Sequence, residues 1–306
     1  MSVRPALKRL RYRCLFPLLA VLPSNVGYRL ASLVGYCDAW LHPLRHPICH
    51  AMAQMLPDLA TNDALLRRQA RRYWRMLACD TLDGFRMPGF NRCNTRNQIE
   101  LQGIEALARA QADKRGVILV ISHFGRFFML APGLGLAGYP FAMLTTVVDE
   151  RHPSYDATDR WHIATKLRHA LDFSAGDWIT TGDDPRRIYR CLRDGQTVLI
   201  ALDGNETNNP QRIEFPFLGG TLSLPESIVR IARATGARLV YAATRDQSRG
   251  AGVRIELYDL PDDPQQALAA AVQQLESDLR QTPWQWWLWP AAAALWRPGQ
   301  PSSSAE

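Results

Sequence analysis

The 306-residue sequence lacks paired cysteines. Its six cysteines are scattered, and none belongs to a C-x-x-C pair: Cys14, Cys37, Cys49, Cys79, Cys93 and Cys191. Zinc ribbons and disulfide-framed secreted domains need closely spaced cysteines. The sequence therefore argues against both classes, and it predicts buried thiols in a protein of a reducing compartment.

Acidic residues and long apolar runs are missing from the N-terminal region. No Asp or Glu precedes Asp38, whereas six basic residues do: Arg4, Lys8, Arg9, Arg11, Arg13 and Arg29. The apolar run CLFPLLAVLP is shorter than the roughly 20 residues of a membrane-spanning helix, and no convincing signal-peptide cleavage site follows it. We predict two helices in residues 15–41, broken at LPSN, with Ser24 or Asn25 capping the second. Their apolar faces and basic flank favour a peripheral membrane anchor or a helical hairpin packed on the core, and the two are compatible.

The overall composition is that of a folded protein with a basic surface. Hydrophobic residues make up 47% of the chain, charged residues 21%, and the net charge is +7. A basic protein favours anionic partners, such as nucleic acid, a membrane surface or an acidic carrier protein. No nucleic-acid recognition motif is present, so we do not expect a nucleic-acid partner. Repeats and low-complexity segments are also absent.

From residue 97 onward, strand and helix patterns alternate. Predicted strands lie in IELQ, GVILVIS, YPFAMLTTVV, QTVLIALD and RLVYAATRD, and predicted helices in RRIYRCLRDG, SLPESIVRIARATGA and ALAAAVQQLESDLRQTP. Such alternation predicts an α/β fold: a single domain with a largely parallel central sheet flanked by helices. We assign residues 1–95 to an N-terminal helical, membrane-proximal segment, 96–298 to the α/β region and 299–306 to a disordered tail.

Two polar residues stand where predicted strands end. His123 follows the buried run VILVIS, and Asp203 follows VLIAL. In open α/β sheets, ligand-binding and catalytic residues lie just beyond the carboxyl ends of the strands. The simplest alternative makes His123 a helix cap and Asp203 a turn former.

Several motifs in order resemble the lysophospholipid acyltransferase superfamily, and within it the bacterial lipid A late-acyltransferase branch. They are AMAQMLPDLA, ISHFG, LDG, IEFPFLGGTLSLPESIVRIARATGARLV and LRQTPWQWWLW. The resemblance covers nearly the whole chain. It implies acyl transfer from a thioester to a hydroxyl or amine, with His123 as the general base. The type of residue suits this role, since imidazole exchanges protons near neutral pH.

The same resemblance implies a donor, an acceptor and a cellular location. The donor would be an acyl carrier protein or coenzyme A thioester. The acceptor would belong to a lipid, glycolipid or lipopeptide pathway, and no metal or cofactor would be needed. The expected location is peripheral, on the cytoplasmic face of a bacterial inner membrane.

One departure from the family motif H-x-x-x-x-D/E leaves three interpretations open. Phe128 stands where the motif has its acid. Another carboxylate could hold the orientation and tautomer of the histidine ring. Asp203 is the first candidate, and Asp149 and Glu206 are weaker ones. The acceptor could instead differ from the usual one, or the fold could be a non-catalytic subunit that binds acyl groups or carrier protein.

Five further residues are candidates for substrate binding. Arg126 follows the H-F-G block, and Arg151 lies where the family tends to keep an arginine that grips the acceptor's phosphate. Gly219, Gly220 and Thr221 form a third block, whose backbone N–H groups could approach an anion. The tryptophan-rich end favours either a membrane interface or the core.

Overall fold

A computed structural model describes residues 3–150, 155–204, 211–247 and 252–299. The first part of the chain is helical, with a π-helical turn at Arg11–Leu15 after the first helix. Its helices are α1 (Val3–Leu10), α2 (Phe16–Val21), α3 (Ser24–Leu41), α4 (Arg45–Met55), α5 (Pro57–Ala60), α6 (Asp63–Arg86) and α7 (Arg92–Thr95).

Strands and helices alternate through the rest of the chain. The strands are β1 (Ile99–Gln102), β2 (Val117–Ile121), β3 (Phe141–Thr145), β4 (Ala175–Thr180), β5 (Thr197–Ala201), β6 (Arg212–Phe217), β7 (Gly220–Pro225), β8 (Arg238–Asp246), β9 (Val253–Asp259) and β10 (Trp296–Pro298). The helices are α8 (Ile104–Ala112), α9 (Leu130–Ala137), α10 (Ala157–Leu171), α11 (Arg186–Arg193), α12 (Ser227–Thr235), α13 (Pro264–Gln281) and α14 (Ala292–Leu295).

Seven strands form the central sheet, in the order β1-β9-β8-β2-β5-β3-β4. All neighbours are parallel except β8 and β9, which are antiparallel. A separate antiparallel sheet has the order β10-β7-β6. The structure thus confirms the predicted α/β class with a largely parallel central sheet. The strands β4, β6, β7, β9 and β10 were not predicted from the sequence.

The core lies on both faces of the central sheet. Every residue of β2 is buried, and its side chains alternate between two clusters. Ile118 and Val120 pack in the cluster that contains α12, α13 and the C-terminal tryptophans. Leu119 and Ile121 pack in the cluster that contains α8 and α9. A strand buried on both faces reads as a continuous apolar run, which explains the VILVI pattern.

The N-terminal helices pack on one another through small residues. The buried face of α3 contains Gly27, Ala31 and Gly35, and α3 lies against α6. A Cβ atom at Gly35 would stand 2.5 Å from the Trp74 carbonyl oxygen. The close approach of the two helices therefore requires glycine there.

The predicted cap of α3 is wrong. The helix begins at Ser24 itself, and the preceding Pro23 offers no side-chain cap. The Ser24 hydroxyl instead accepts a hydrogen bond of 2.6 Å from the Arg86 guanidinium, which ties α3 to the end of α6. Asn62 caps α6 by accepting from the Leu65 N–H.

Among the described residues, no helix is long and apolar enough to cross a membrane. The cysteines are free, but only Cys79 and Cys191 are buried, and Cys14, Cys37 and Cys93 are exposed. Burial was therefore predicted correctly for a minority of the thiols.

Candidate active site

His123 stands at the carboxyl end of the central strand β2. It lies two positions after Ile121, the last residue of that strand. Between them, Ser122 is buried and its hydroxyl lies 3.0 Å from the Tyr241 hydroxyl on β8. The His123 side chain keeps 28% of its surface exposed, so it is anchored in the fold and still reachable from solvent.

Asp203 takes the equivalent place on the neighbouring strand. Ile121 pairs with Ala201 in the parallel register of β2 and β5, and the Leu202 N–H donates to the Ile121 carbonyl at 2.8 Å. Each of the two polar residues thus lies two positions beyond a paired residue. The structure brings together the two strand-end residues that the sequence singled out.

The Asp203 carboxylate is fully buried and holds the imidazole ring. Its Oδ1 atom lies 2.8 Å from His123 Nδ1. The backbone N–H of His123 donates to both carboxylate oxygens at 3.0 Å. The indole Nε1–H of Trp286 donates to Oδ2 at 3.0 Å. Because a carboxylate can only accept, Nδ1 carries a proton and Nε2 is left as the basic nitrogen.

The environment of His123 favours its protonated form. Burial opposes the positive charge, but the charge of Asp203 and its hydrogen bond outweigh that cost, so the pKa of His123 is raised above its usual value of 6.5. A histidine with a raised pKa is a stronger base, and the buried carboxylate fixes its orientation. The pair can accept a proton from a bound molecule and return it.

The comparison with protein families matches most of the chain. The model for bacterial lipid A biosynthesis acyltransferases matches residues 46–290. The chain belongs to this family. The matched segment contains both His123 and Asp203, and it begins after α3. No curated protein matches the sequence.

The H-F-G loop of this acyltransferase family member is bonded to the C-terminal tryptophan-rich segment. Phe124 forms an antiparallel bridge with Trp286. The Gly125 N–H donates to the Gln285 carbonyl at 2.7 Å, and the Trp287 N–H donates to the His123 carbonyl at 2.9 Å. Gly125 has a φ of +61°, and a Cβ atom there would clash with the Thr244 carbonyl. Only glycine fits this position.

Three tryptophans of that segment belong to the core. Trp284, Trp286 and Trp289 are at most 1% exposed. Of the two environments predicted for the tryptophan-rich end, the structure therefore selects the core. The sequence did not indicate the contact of Trp286 with Asp203, because the two residues are 83 positions apart and no periodic pattern links them.

The Phe128 ring lies against a cation. Phe128 lies in a 3₁₀ turn, Phe127–Met129, and packs on Phe127, whose ring stands edge-on to His123 at 5.0 Å. The Lys166 ammonium lies 3.9 Å from the centre of the Phe128 ring and forms a buried ion pair with Asp80. No pattern in the sequence indicated this buried pair.

Arg126 requires a correction. The sequence placed it among the substrate-binding residues, but its side chain is fully buried. Its guanidinium lies 3.1 Å from Asp83 and 3.6 Å from Asp246, and it stacks over the Tyr28 ring at 5.1 Å. Although burial opposes its charge, these two carboxylates raise its pKa. Arg126 therefore joins the loop to helices α3 and α6 instead of facing a ligand.

The remaining candidates lie elsewhere. Gly219 and Gly220 sit at the turn between β6 and β7, and Gly220 and Thr221 pair with β10. The contacts of this block are thus those of a small antiparallel sheet. Asp149 lies near the end of the first described range, and both Arg151 and Glu206 lie outside the described residues. No cluster of three or more potential metal ligands occurs among the described residues.

Proposed function

We propose that this protein transfers an acyl group from a carrier-protein or coenzyme A thioester to a hydroxyl or amine. The acceptor belongs to a lipid, glycolipid or lipopeptide pathway. The observation that carries the proposal is the 2.8 Å contact between His123 Nδ1 and Asp203 Oδ1, with the imidazole part-exposed. Family membership supports acyl transfer in a lipid pathway.

The geometry supports a general-base mechanism. His123 Nε2 takes the proton from the acceptor O–H or N–H while the acceptor atom attacks the thioester carbonyl carbon. The tetrahedral intermediate collapses, the C–S bond breaks, and the imidazolium gives the proton to the departing thiolate. Asp203 remains a carboxylate throughout and stabilises the imidazolium. In this proposal, Asp203 supplies what the motif acid would supply from position 128.

The alternative is a non-catalytic subunit that binds acyl groups or carrier protein. A binding role does not require a part-exposed imidazole held by a fully buried carboxylate. Burial of a carboxylate is costly unless its hydrogen bonds are satisfied. Asp203 is buried, accepts from His123 and Trp286, and orients a base. This arrangement favours catalysis.

Thioester consumption tests the function. Wild type, His123→Ala and His50→Ala would be assayed with an acyl-carrier thioester and a panel of hydroxyl and amine acceptors. We expect His123→Ala to lose about 100-fold or more in turnover, and His50→Ala, an exposed control on α4, to keep it. Full turnover by His123→Ala would overturn the mechanism. If wild type consumes no donor with any acceptor, the result favours the binding-subunit alternative.

We also propose that helices α1–α3 bind the surface of an anionic bilayer. Among the described residues, every exposed large hydrophobic side chain except Trp178 lies in one stretch near the N-terminus: Leu7, Leu10, Leu15, Leu18, Val21, Val26, Leu30, Leu33, Tyr36, Trp40, Leu41 and Leu44. A concentration of exposed apolar side chains in one region is typical of an interaction site.

Helix α3 has two distinct faces. Its buried face, with Tyr28, Ala31 and Gly35, packs against α6. Val26, Leu33 and Trp40 lie on the opposite, exposed face, at helical spacing. Exposed arginines accompany these helices, including Arg9, Arg13 and Arg29. An apolar face with basic neighbours fits an anionic lipid surface, and in a bacterial cell we assign it to the cytoplasmic face of the inner membrane.

Vesicle sedimentation tests this surface. The triple variant Leu18→Ser, Val21→Ser, Leu41→Ser would be compared with Trp178→Ser, a control for exposed apolar area elsewhere. With vesicles of phosphatidylglycerol and phosphatidylcholine, we expect the triple variant to bind at least about 10-fold more weakly than wild type. Equal binding of all three proteins would refute the proposed surface.

A further inference from the structure

One hydrogen bond reaches the dyad from outside the two strands that carry it. The indole Nε1–H of Trp286 donates to Asp203 Oδ2 at 3.0 Å, and both side chains are fully buried. The other hydrogen bonds described for this carboxylate come from the backbone and ring of His123. Trp286 therefore supplies a donor to the carboxylate that is independent of the base itself.

The fold holds the indole ring firmly. Trp286 forms a β-bridge with Phe124 on the H-F-G loop. The flanking residues Gln285 and Trp287 also form backbone hydrogen bonds with this loop. The ring packs edge-on against Trp289 at 5.1 Å, and it lies 6.4 Å from the Phe217 ring on β6. A donor with this support has little freedom to turn away from Asp203.

The neighbouring tryptophans do not share this contact. The Trp287 indole donates to the Gly125 carbonyl, and the Trp289 indole donates to the Pro283 carbonyl. The Trp284 nitrogen has no acceptor among the described residues. Within the C-terminal segment, Trp286 is therefore distinguished by its carboxylate partner, and Trp289 offers an equally buried ring for comparison.

We propose that Trp286 is a positioning residue that orients the Asp203 carboxylate toward His123. This inference rests on the proposed function of the dyad. A carboxylate buried in the core needs donors for both oxygens. The indole N–H gives Oδ2 a second donor beside the His123 backbone N–H, and it adds no positive charge. The negative charge that stabilises the imidazolium is therefore kept, whereas an arginine or lysine at this place would offset it.

Few titratable groups face the dyad from the surrounding elements. On β8, the Tyr241 hydroxyl contacts Ser122, and burial holds its pKa far above the usual value, so it stays neutral. On α10, Lys166 lies behind Phe128 and Trp287 and is paired with Asp80. Among the described residues, Asp203 is thus the main charge acting on His123.

The experiment compares Trp286→Phe with Trp289→Phe. Without the indole donor, the carboxylate is free to turn away from the imidazole ring, so it stabilises the imidazolium less. We expect kcat to fall about 10- to 100-fold with little change in KM. We also expect the NMR-measured pKa of His123 to fall by about half a unit or more. Trp289→Phe should leave both unchanged, although it lowers stability.

A gentler replacement covers the case in which Trp286→Phe does not fold. Benzothienylalanine at position 286 keeps the bicyclic shape and lacks the N–H. The proposal is overturned if either variant matches Trp289→Phe in kcat and in the pKa of His123. The NMR titration does not depend on turnover. If wild type proves inactive, the proposed function fails while the titration still decides whether Trp286 acts on the dyad.

Discussion

At the scale of single residues, the structure joins His123 of the H-F-G motif to the Asp203 carboxylate through a 2.8 Å contact. The sequence singled out His123 and Asp203 because both follow buried strands, and the family resemblance implied the general-base role of His123. The distance between them was not predictable, because it depends on the register of β2 and β5, in which Ile121 pairs with Ala201. Trp286 was not predictable at all as a partner, because its contact depends on a long-range bridge.

The raised pKa of His123 gives the reaction a pH dependence. The base must be neutral, so kcat/KM should fall as the pH drops through the pKa, with an acid limb above about 6.5. The same shift affects folding. A histidine with a raised native pKa stabilises the fold below its unfolded pKa, and that stability is lost as the pH rises through the native pKa. Rate profiles from about pH 5 to 9 check the first effect.

Asp203→Asn provides the contrast for this pH dependence. Without the carboxylate, the pKa of His123 should fall, and the acid limb of any remaining activity should move to lower pH. The variant should lose more stability at low pH than at high pH, because the favourable charge pairing exists where His123 is protonated. An acid limb at the same pH in both proteins would contradict the assigned contact.

Restoring an acid at position 128 should not improve the enzyme. In Phe128→Glu, the new carboxylate would lie beside Lys166, which stands 3.9 Å from the Phe128 ring centre and is already paired with Asp80. We expect pairing with Lys166 and turnover no higher than about twice the wild-type value. Phe128→Leu controls for loss of the ring. A gain of about tenfold in Phe128→Glu, measured as thioester consumption, would show that position 128 still serves the histidine.

At the scale of elements, a buried group of charges joins the loop that follows His123 to the N-terminal helices. Arg126 on the loop faces Asp83 on α6 and Asp246 at the end of β8. Arg75, also on α6, holds Asp246 at 2.6 Å. The Tyr28 hydroxyl on α3 donates to Asp83 at 2.5 Å. The helices that carry the proposed lipid-binding face therefore contact the residue three positions after His123.

Substitution of Arg126 tests this connection. Arg126→Met leaves the Asp83 and Asp246 carboxylates buried without their shared cation, so we expect a loss of about 3–5 kcal/mol in the free energy of unfolding. The double variant Arg126→Met, Asp83→Asn removes one of these charges and should recover part of the loss. Urea unfolding of both variants and of Asp83→Asn gives the coupling energy. A coupling near zero would contradict the ion pair.

Some elements were predictable and others were not, for physical reasons. The buried strands β2, β5 and β8 read as continuous apolar runs, and their flanking glycines mark the ends. The edge strand β4 is mostly exposed, so it carries no apolar pattern. The hairpin of β6 and β7 pairs with β10, and such pairing is not encoded in any one segment.

At the scale of the whole molecule, the parallel sheet positions the dyad. It places two strand ends side by side and buries one of the two polar residues. The rim that results is closed from one side by the C-terminal segment, which supplies Trp286. The net charge of +7 and the exposed apolar residues on α1–α3 fit a protein that works beside an anionic surface.

The turnover of Asp203→Asn, measured beside Phe128→Leu with the same thioester donor, tests whether Asp203 has taken the role of the missing acid. Asparagine cannot hold the imidazole in the required tautomer, so we expect a loss of about 100-fold or more. Phe128→Leu should stay within about threefold of wild type. Wild-type turnover by Asp203→Asn would contradict the proposed dyad.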